Sequence, residues 1–232
     1  MDFDLNDDQR LLKDSVDRLV ADKYGFEQRR GYMGEPDGWS RAMWAQYAEL
    51  GLLGLPFEVV ASGYDEAALA PAGLTPAEYV TRLAAGKASE VAARTEGDAL
   101  VIGADTTVIL DGAALNKPAD ADDARLMLRL LSGRTHRVYT GLCLIPVMGG
   151  AVGAALTEHA VTDVTFDALS DETIAAYVAS GEPLDKAGAY GIQGKALSFI
   201  PGIKGDYFHV VGLPLFVLGK MLARFGISLW PS

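Results

Sequence analysis

The sequence predicts an α/β fold, a twisted mixed sheet flanked by helices, preceded by an N-terminal appendage of two helices. Residues 1–56 carry only helical spacings of apolar residues, whereas residues 57–232 alternate short apolar runs with capped helical segments. Strands that alternate with helices are typical of a sheet with helices on its faces. Half of the 232 residues are hydrophobic, which is enough for a sizeable core.

Composition excludes several classes of function. The net charge of −11 argues against binding of a nucleic acid polymer, which requires clustered Lys and Arg, but a divalent metal could neutralise a small nucleotide locally. The one cysteine, Cys143, lies in an apolar run, so we expect it in the core of a protein from a reducing compartment. The acidic N-terminus is unlike a secretory signal, and no apolar run reaches about 18 residues. We therefore expect a cytoplasmic protein that does not enter a membrane.

The first segment, residues 1–56, reads as two amphipathic helices. Asn6 and Gln9 resemble a capping box before a helical apolar repeat, and Ser40 can cap a second helix that ends at Gly51. Neither helix carries a catalytic cluster, so the segment indicates packing helices rather than a site.

The second segment begins with a strand predicted at 57–61. The sequence Thr75-Pro76-Ala77-Glu78 then opens a helix, with Thr as N-cap, Pro at the first position and Glu at the third. The remaining predicted elements are strands at 99–103, 137–147 and 161–166, and helices at 122–131, 170–180 and 215–224.

Two residues stand out by position. Asp105 follows the apolar run 99–103, and because ligand sites in α/β folds gather at the carboxyl ends of strands, it is well placed for function. Its alternative role is to hydrogen-bond a turn. Lys87 shares a helix face with apolar residues such as Val80 and Leu83, so it either extends to the edge of the core or contacts an anion.

Residues 181–194 form the most informative loop of the chain. A helix should end at Gly181, and glycines follow at 188, 191 and 194 together with Lys186 and Gln193. Glycines can let backbone N–H groups surround an anion, Lys186 supplies a positive charge, and Gln193 can donate to and accept from a base. The alternative is a flexible surface loop.

Three further features complete the candidate chemistry. Glu66, after the first predicted strand, could hold a metal or lie in a solvated loop, and Lys117 precedes a proline in an extended position. The three histidines have no metal-ligand spacing. Acidic residues, lysines and a glycine loop together suit a metal-assisted attack on a nucleotide phosphate.

These residues also carry a family resemblance. Residues 57–224 closely resemble the Maf family of nucleoside triphosphate pyrophosphatases, which share a fold with inosine triphosphatases and release pyrophosphate to leave a monophosphate. The matching stretches are Gly103–Thr106, Leu115–Pro118, Leu131–Gly133 with His136, Tyr139–Gly141, Gly181–Gly194 and Val210–Pro214. His209 stands where the family is expected to have an asparagine.

The resemblance implies roles for individual residues. Asp105 would be the proton acceptor, and Thr106 and Gln193 would select the base. The form A-Y-G-I-Q-G is similar to the branch that acts on dTTP and UTP. The other implied ligands of metal or phosphate are Glu66, Lys87, Lys117 and Lys186, with Glu66 and Asp105 on Mg²⁺ or Mn²⁺. The family's tendency to form dimers makes a homodimer a candidate assembly.

The resemblance fails at the front of the chain. Maf proteins open with a strand and an S-x-S-P-R-R loop whose serine and arginines grip the triphosphate, and this chain has no such segment. Residues 1–56 instead resemble the N-terminal helices of acyl-CoA dehydrogenases, without that family's later flavin-binding and catalytic residues. We interpret the chain as a fusion, natural or artificial, joined at 54–57. Two readings stay open: a pyrophosphatase weakened by the loss of that loop, or an inactive nucleotide-binding or interaction module. An acyl-CoA-related function has little support.

Overall fold

The structure, a computed structural model, describes residues 58–69 and 71–227. The described strands are β1 (Ala99–Leu110), β2 (Ala113–Leu115), β3 (Thr135–Met148), β4 (Ala151–Val152), β5 (Leu156–Thr165) and β6 (Gly202–Lys204). The described α-helices are α1 (Pro76–Ala93), α2 (Ala121–Leu131), α3 (Asp171–Ala179), α4 (Tyr207–Val211) and α5 (Leu215–Ala223). The short 3₁₀ turns are Glu66–Ala68, Glu182–Asp185, Ala187–Ala189 and Lys195–Phe199. The two helices expected within residues 1–56 lie outside the described residues.

The described strands form one sheet in the order β2-β1-β3-β5-β6, with β4 paired to the end of β3. Helices pack on both faces, so the expected α/β fold with a sheet flanked by helices is confirmed. We expected a mixed sheet, but all pairings among the described strands are antiparallel. Short connections from β1 to β2 and from β3 through β4 to β5 favour this arrangement, because parallel neighbours need a long crossover.

Helix α1 begins where its sequence predicts. Thr75 Oγ1 accepts a hydrogen bond from the Glu78 N–H at 3.3 Å, and Glu78 Oε2 accepts one from the Thr75 N–H at 2.8 Å. Such a cap typically contributes about 1 kcal/mol to stability. The buried side of the helix, including Val80, Leu83 and Ala84, packs on β1 and β3. The cap therefore fixes the start of the helix that carries Lys87.

Two glycines of the sheet allow α1 to approach closely. A Cβ on Gly103 would meet the carbonyl oxygen of Ala84 and lie 2.9 Å from Ala88 Cβ, and one on Gly141 would meet the backbone of Val80. Backbone cannot yield as a flexible side chain can, so a methyl group at either position would push the helix away from the sheet. The close approach sets the height of α1 above β1.

We expect Gly103→Ala to destabilise the protein by about 2 kcal/mol because it overpacks the contact between α1 and β1. For a domain of this size, that cost lowers Tm by roughly 4–8 °C, which thermal unfolding measures. Gly202→Ala is the matched control, because a Cβ there meets nothing within 4 Å. Equal melting temperatures for the two variants would contradict the close packing of α1.

The face of the sheet opposite to α1 carries the larger core. Side chains of β1, β3 and β5 pack there against α2, α3 and the segment that follows α3. The buried residues include Val108, Leu128, Val138, Val164, Phe166, Ile174 and Tyr190. This core positions the 181–194 loop against one face of β1.

The strand predicted at 99–103 continues through Asp105 to Leu110. Asp105, Thr106 and Thr107 pair in register with Gly141, Thr140 and Tyr139 of β3, so the ladder does not stop at the carboxylate. Two consecutive β-branched threonines fit a pleated strand, which explains the continuation. The expectation that Asp105 ends a strand is therefore wrong, and Asp105 lies within β1.

The strand predicted at 57–61 is not formed where the structure describes it. Residues 58–61 have no regular structure, and Ala61 and Gly63 instead contact α1. The Ala61 carbonyl oxygen accepts from the Arg94 guanidinium at 2.5 Å, and the Gly63 N–H donates to Glu90 Oε2 at 3.0 Å. No described strand offers this segment a ladder, and an apolar run without a partner does not make a strand.

One edge of β1 is only partly covered. Strand β2 pairs with Val108–Leu110, and no strand within the described ranges pairs with residues 99–107 on that side. Asp105 and Thr106 thus lie on a strand that, as far as the structure describes it, has β3 as its only neighbour at these positions.

No helix in the described part of the chain is long and apolar enough to cross a membrane.

Candidate active site

The structure brings together three of the residues that the sequence singles out. Lys87 Nζ on α1 lies 2.8 Å from Asp105 Oδ1 on β1 and 2.8 Å from Glu66 Oε1 on the 3₁₀ turn before α1. Lys87 therefore does not extend to the solvent edge but reaches an anion held by the fold, one of the two outcomes that its position on the apolar face allowed. The Lys87 ammonium thus bridges two carboxylates, Glu66 and Asp105, that are 39 residues apart in the sequence.

The environment of Lys87 favours its charged form. The side chain of Asp105 is only 7% exposed, that of Lys87 24% and that of Glu66 50%. Burial by itself lowers the pKa of Lys87, but hydrogen bonds to Asp105 and Glu66 outweigh it, so the pKa is raised above its usual value. Thr107 Oγ1 also lies 3.4 Å from Asp105 Oδ2. Lys87 is thus a cation at neutral pH and lies beside the nearly buried side chain of Asp105.

Thr106 lies on the opposite face of the sheet from this cluster. Adjacent residues of a strand point to opposite faces, so Asp105 faces Lys87 while Thr106 faces Thr140 across the ladder, with 2.8 Å between their Oγ1 atoms. Gly188 of the 181–194 loop packs on the same face, because a Cβ there would lie 2.8 Å from Val108 Cγ2. Thr106 thus shares a face with the loop and not with Lys87.

The 181–194 loop begins as predicted but is not an anion cradle. Gly181 has φ 77° and ends α3, as expected. The three later glycines donate their N–H groups within the protein: Gly188 to the Asn116 carbonyl at 3.2 Å, Gly191 to Tyr177 Oη at 3.2 Å and Gly194 to the Gly191 carbonyl at 3.0 Å. The expectation that these N–H groups surround an anion is therefore wrong. The alternative of a flexible loop does not fit either, since 3₁₀ turns order it.

Glu182 organises this loop, a role that its place in the sequence did not indicate. Its Oε1 accepts from Tyr177 Oη at 2.8 Å, and its Oε2 accepts from the Lys195 N–H at 3.0 Å. A Cβ on Gly194 would collide with this carboxylate, so a larger residue there would displace the Glu182 side chain from these contacts. The sequence Gly181-Glu182-Pro183 after a helix was the one signal for this role. A carboxylate next to glycines is equally typical of a solvated loop, so the signal was not specific.

The other predicted ligands line the same face as the loop without joining the Lys87 cluster. Lys186 Nζ pairs with Asp185 Oδ1 at 2.6 Å, and Lys117 and Gln193 are exposed. The bond between Gly188 and the Asn116 carbonyl places the Lys117 segment beside the loop. Among the described residues, none of the hydrogen bonds or ion pairs connects these side chains to Glu66, Lys87 or Asp105.

The donor set fits a cation that retains other ligands. No group of three or more His, Cys, Asp or Glu residues in the described part of the chain could hold a metal ion. Glu66 and Asp105 offer two carboxylates in one place, which matches the way Mg²⁺ binds through one or two carboxylates while retaining water and substrate phosphate oxygens. The structure places both carboxylates on the Lys87 ammonium, and the predicted pair of metal ligands stays a prediction.

Cys143 and the buried histidines belong to the core. Burial raises the pKa of the Cys143 thiol to about 11, so it is inert, as expected for a core cysteine. His136 Nε2 lies 2.8 Å from Tyr190 Oη, and burial lowers its pKa to about 4. Burial also lowers the pKa of His209 to about 4, although Asp206 opposes the shift.

We expect these two histidines to make the protein acid-sensitive. Their folded pKa values lie below the unfolded value of 6.5, so the unfolded chain takes up protons first. Their contribution is complete above pH 6.5 and is lost as the pH falls through about 4, with about 3 kcal/mol at most for each. Urea unfolding between pH 7.5 and 4.5 measures it. His136→Phe should reduce the slope by about half, and an unchanged slope would contradict this origin.

The fold and the cluster together define a class: an α/β protein whose site joins a lysine cation to two carboxylates, the groups that phosphate-processing sites use. Comparison with known proteins makes this class specific. A model of the Maf family, described as "Maf-like protein", matches residues 48–225. The chain belongs to the Maf family. Because this match starts at residue 48, the division of the chain after residue 56 stays a prediction.

Three relatives illustrate the similarity. A dTTP/UTP pyrophosphatase of Moorella thermoacetica is 50% identical over 181 residues, which cover 78% of this chain and 90% of that protein. The dTTP/UTP pyrophosphatase of Pelotomaculum thermopropionicum is 51% identical over 176 residues, covering 76% and 89%. That of Bacillus cereus is 46% identical over 179 residues, covering 77% and 90%.

Proposed function

We propose that this protein is a nucleoside triphosphate pyrophosphatase that hydrolyses dTTP and UTP to the monophosphate and pyrophosphate. The observation that carries the proposal is the Lys87 ammonium bridging Glu66 and the nearly buried Asp105. Family membership and relatives named dTTP/UTP pyrophosphatase support this reaction and these substrates.

In the proposed reaction, Asp105 accepts a proton from water. The water oxygen attacks the α-phosphorus, the bond from that phosphorus to the bridging oxygen breaks, and pyrophosphate leaves. The carboxylate of Asp105 is held in one position for this role, because its Oδ1 accepts a hydrogen bond from Lys87 Nζ at 2.8 Å and its side chain is nearly buried. Lys87 then stabilises the negative charge that develops on the phosphate oxygens.

Glu66 and Asp105 would hold Mg²⁺ or Mn²⁺. A divalent metal supplies charge neutralisation of the triphosphate and a lowered pKa for a bound water. Lys117 and Lys186 would bind phosphate oxygens, and Thr106 and Gln193 would contact the base. The cluster of Glu66, Lys87 and Asp105 lies on the opposite face of β1 from Thr106 and the 181–194 loop. A nucleotide that crosses the edge of β1 at residues 99–107, where no described strand pairs with it on that side, would touch both faces.

A direct assay tests the proposal. The full chain is incubated with dTTP, UTP, CTP or GTP and Mg²⁺, and the products are separated as monophosphate and pyrophosphate. We expect turnover of dTTP and UTP that EDTA abolishes and Mg²⁺ restores. The absence of pyrophosphate release from any nucleotide, in a protein whose folding is verified by circular dichroism, would contradict the proposal.

A second candidate function is an inactive nucleotide-binding module. The observation that favours it is the missing S-x-S-P-R-R segment, because two arginine contacts to phosphate are worth roughly 1.5–3 kcal/mol each. Thermal stability with dTTP separates the two functions. A rise in Tm without turnover indicates binding alone, since a ligand of the folded state adds RT ln(1 + [L]/Kd) to its stability.

A further inference from the structure

Thr106 and Thr140 form a pair of hydroxyls on the face of the sheet opposite to α1. They are register partners of β1 and β3, and their Oγ1 atoms lie 2.8 Å apart. Thr140 is fully buried, whereas Thr106 is partly exposed. Thr106 is therefore the end of the pair that a ligand can reach.

A backbone carbonyl favours one direction of hydrogen bonding in this pair. Thr140 Oγ1 donates to the carbonyl oxygen of His209 at 3.4 Å. A carbonyl oxygen can only accept, so a hydrogen bond between these two groups uses the single hydrogen of the Thr140 hydroxyl. In that arrangement Thr106 is the donor of the 2.8 Å bond to Thr140. The exposed oxygen of Thr106 retains only lone pairs for a ligand.

The segment that supplies this carbonyl is held in place. His209 is fully buried in α4, and its Nδ1 lies 2.7 Å from Thr162 Oγ1 on β5. Thr162 Oγ1 also accepts from the Asp206 N–H at 3.0 Å, and a Cβ on Gly205 would lie 2.9 Å from Thr162 Cβ. These contacts fasten the start of α4 to the sheet, so the His209 carbonyl stays over Thr140.

We propose that Thr140 is a positioning residue that makes the exposed hydroxyl of Thr106 a hydrogen-bond acceptor, so that the site selects bases that present an N–H to it. The inference rests on the proposed function, which puts the base beside Thr106. Uracil and thymine carry N3–H, whereas N3 of cytosine is a bare acceptor. When N3 of cytosine faces the Thr106 oxygen, both atoms are acceptors and neither receives a hydrogen bond. This lowers kcat/KM for CTP roughly 10- to 100-fold relative to UTP.

The test compares UTP with CTP in Thr140 variants. Thr140→Val keeps the side-chain shape and removes the hydroxyl, so Thr106 becomes free to rotate and donate. We expect the ratio of kcat/KM for UTP over CTP to fall about tenfold, while Thr140→Ser keeps it. The matched control is Thr135→Val, because Thr135 on the same strand pairs with Thr165 at 2.8 Å in an exposed position. An unchanged ratio in Thr140→Val would overturn the inference.

A second measurement uses the unaltered protein and does not depend on a variant that folds. UTP methylated at N3 has lost the donor, and UTP methylated at C5 retains it. We expect the N3-methyl nucleotide alone to lose at least tenfold in kcat/KM, and equal values for the two would overturn the inference. Nucleotide-induced shifts in Tm give the same comparison without turnover. A protein that binds UTP selectively but releases no pyrophosphate would therefore refute the proposed function and support this selection.

Discussion

Replacing Asp105 with Asn is expected to reduce pyrophosphate release from dTTP and UTP by about 10²–10⁴-fold. The amide has the size of the carboxylate but cannot accept the proton of the attacking water. Lys87 retains Glu66 as a partner at 2.8 Å, so the fold should tolerate the change. The measurement is the initial rate of pyrophosphate release, with thermal unfolding of the same preparation.

The control for this variant is Asp163→Asn. Asp163 lies on β5, where its Oδ1 is 3.4 Å from Arg137 Nε, and it makes no contact with the Lys87 cluster among the described residues. We expect this variant to keep nearly full activity. An Asp105→Asn variant as active as Asp163→Asn would remove Asp105 from the reaction.

Replacing Lys87 with Met is expected to lower both activity and stability. The neutral side chain keeps most of the buried stem volume, but Asp105 loses the cation that compensates its nearly buried charge. Breaking such a pair costs about 3 kcal/mol, or roughly 6–12 °C in Tm for a domain of this size. Loss of a phosphate-stabilising charge should reduce turnover by about 10²-fold or more.

The double variant Lys87→Met with Asp105→Asn separates the two effects. Removing both partners leaves no uncompensated buried charge, because the remaining carboxylate, Glu66, is half exposed, so the double variant should be more stable than the sum of the single changes predicts, by about 1–3 kcal/mol. The activity of the double variant should be as low as that of the less active single variant. If the losses of stability in the two single variants add up in the double variant, Lys87 does not stabilise the protein through its ion pair with Asp105.

Much of the fold could be predicted from local signals. The capping box at Thr75 and Glu78, the left-handed glycine at 181 and the apolar runs of β1 and β3 each act within a few residues, and the structure confirms them. The extension of β1 through Asp105 could not be predicted in this way. It depends on pairing with residues of β3 about 35 positions away, which no local pattern encodes.

The site was predictable in its residues but less so in its geometry. Lys87 on an apolar helix face indicated contact with an anion, and the structure supplies Asp105 and Glu66. The prediction that the glycines of the 181–194 loop surround an anion was wrong. Glycine occurs in anion-binding loops and also where chain segments pack closely, so the sequence pattern fits both. Which of the two applies depended on the carboxylate of Glu182 and the hydroxyl of Tyr177, whose positions follow from the tertiary fold.

The absence of an S-x-S-P-R-R motif from the sequence leads to a prediction about how the proposed enzyme binds its substrate. Residues 99–107 of β1 have no partner on one side within the described strands, and the chain lacks the arginines that grip the triphosphate in the resembling family. Among the described residues, Lys87, Lys117 and Lys186 are the cations that we assign to the proposed site. We therefore expect turnover limited by weak triphosphate binding, seen as a high KM that falls as Mg²⁺ is raised.

The most direct test of the proposed chemistry is hydrolysis in water enriched in ¹⁸O, with both products analysed by mass spectrometry. Attack at the α-phosphorus, with Asp105 as the proton acceptor, puts one ¹⁸O atom into dTMP or UMP and none into pyrophosphate, and the label should vanish in Asp105→Asn. Label found in pyrophosphate, release of inorganic phosphate in its place, or the same labelling rate in Asp105→Asn would contradict the assignment of the Lys87–Asp105 cluster as the catalytic centre.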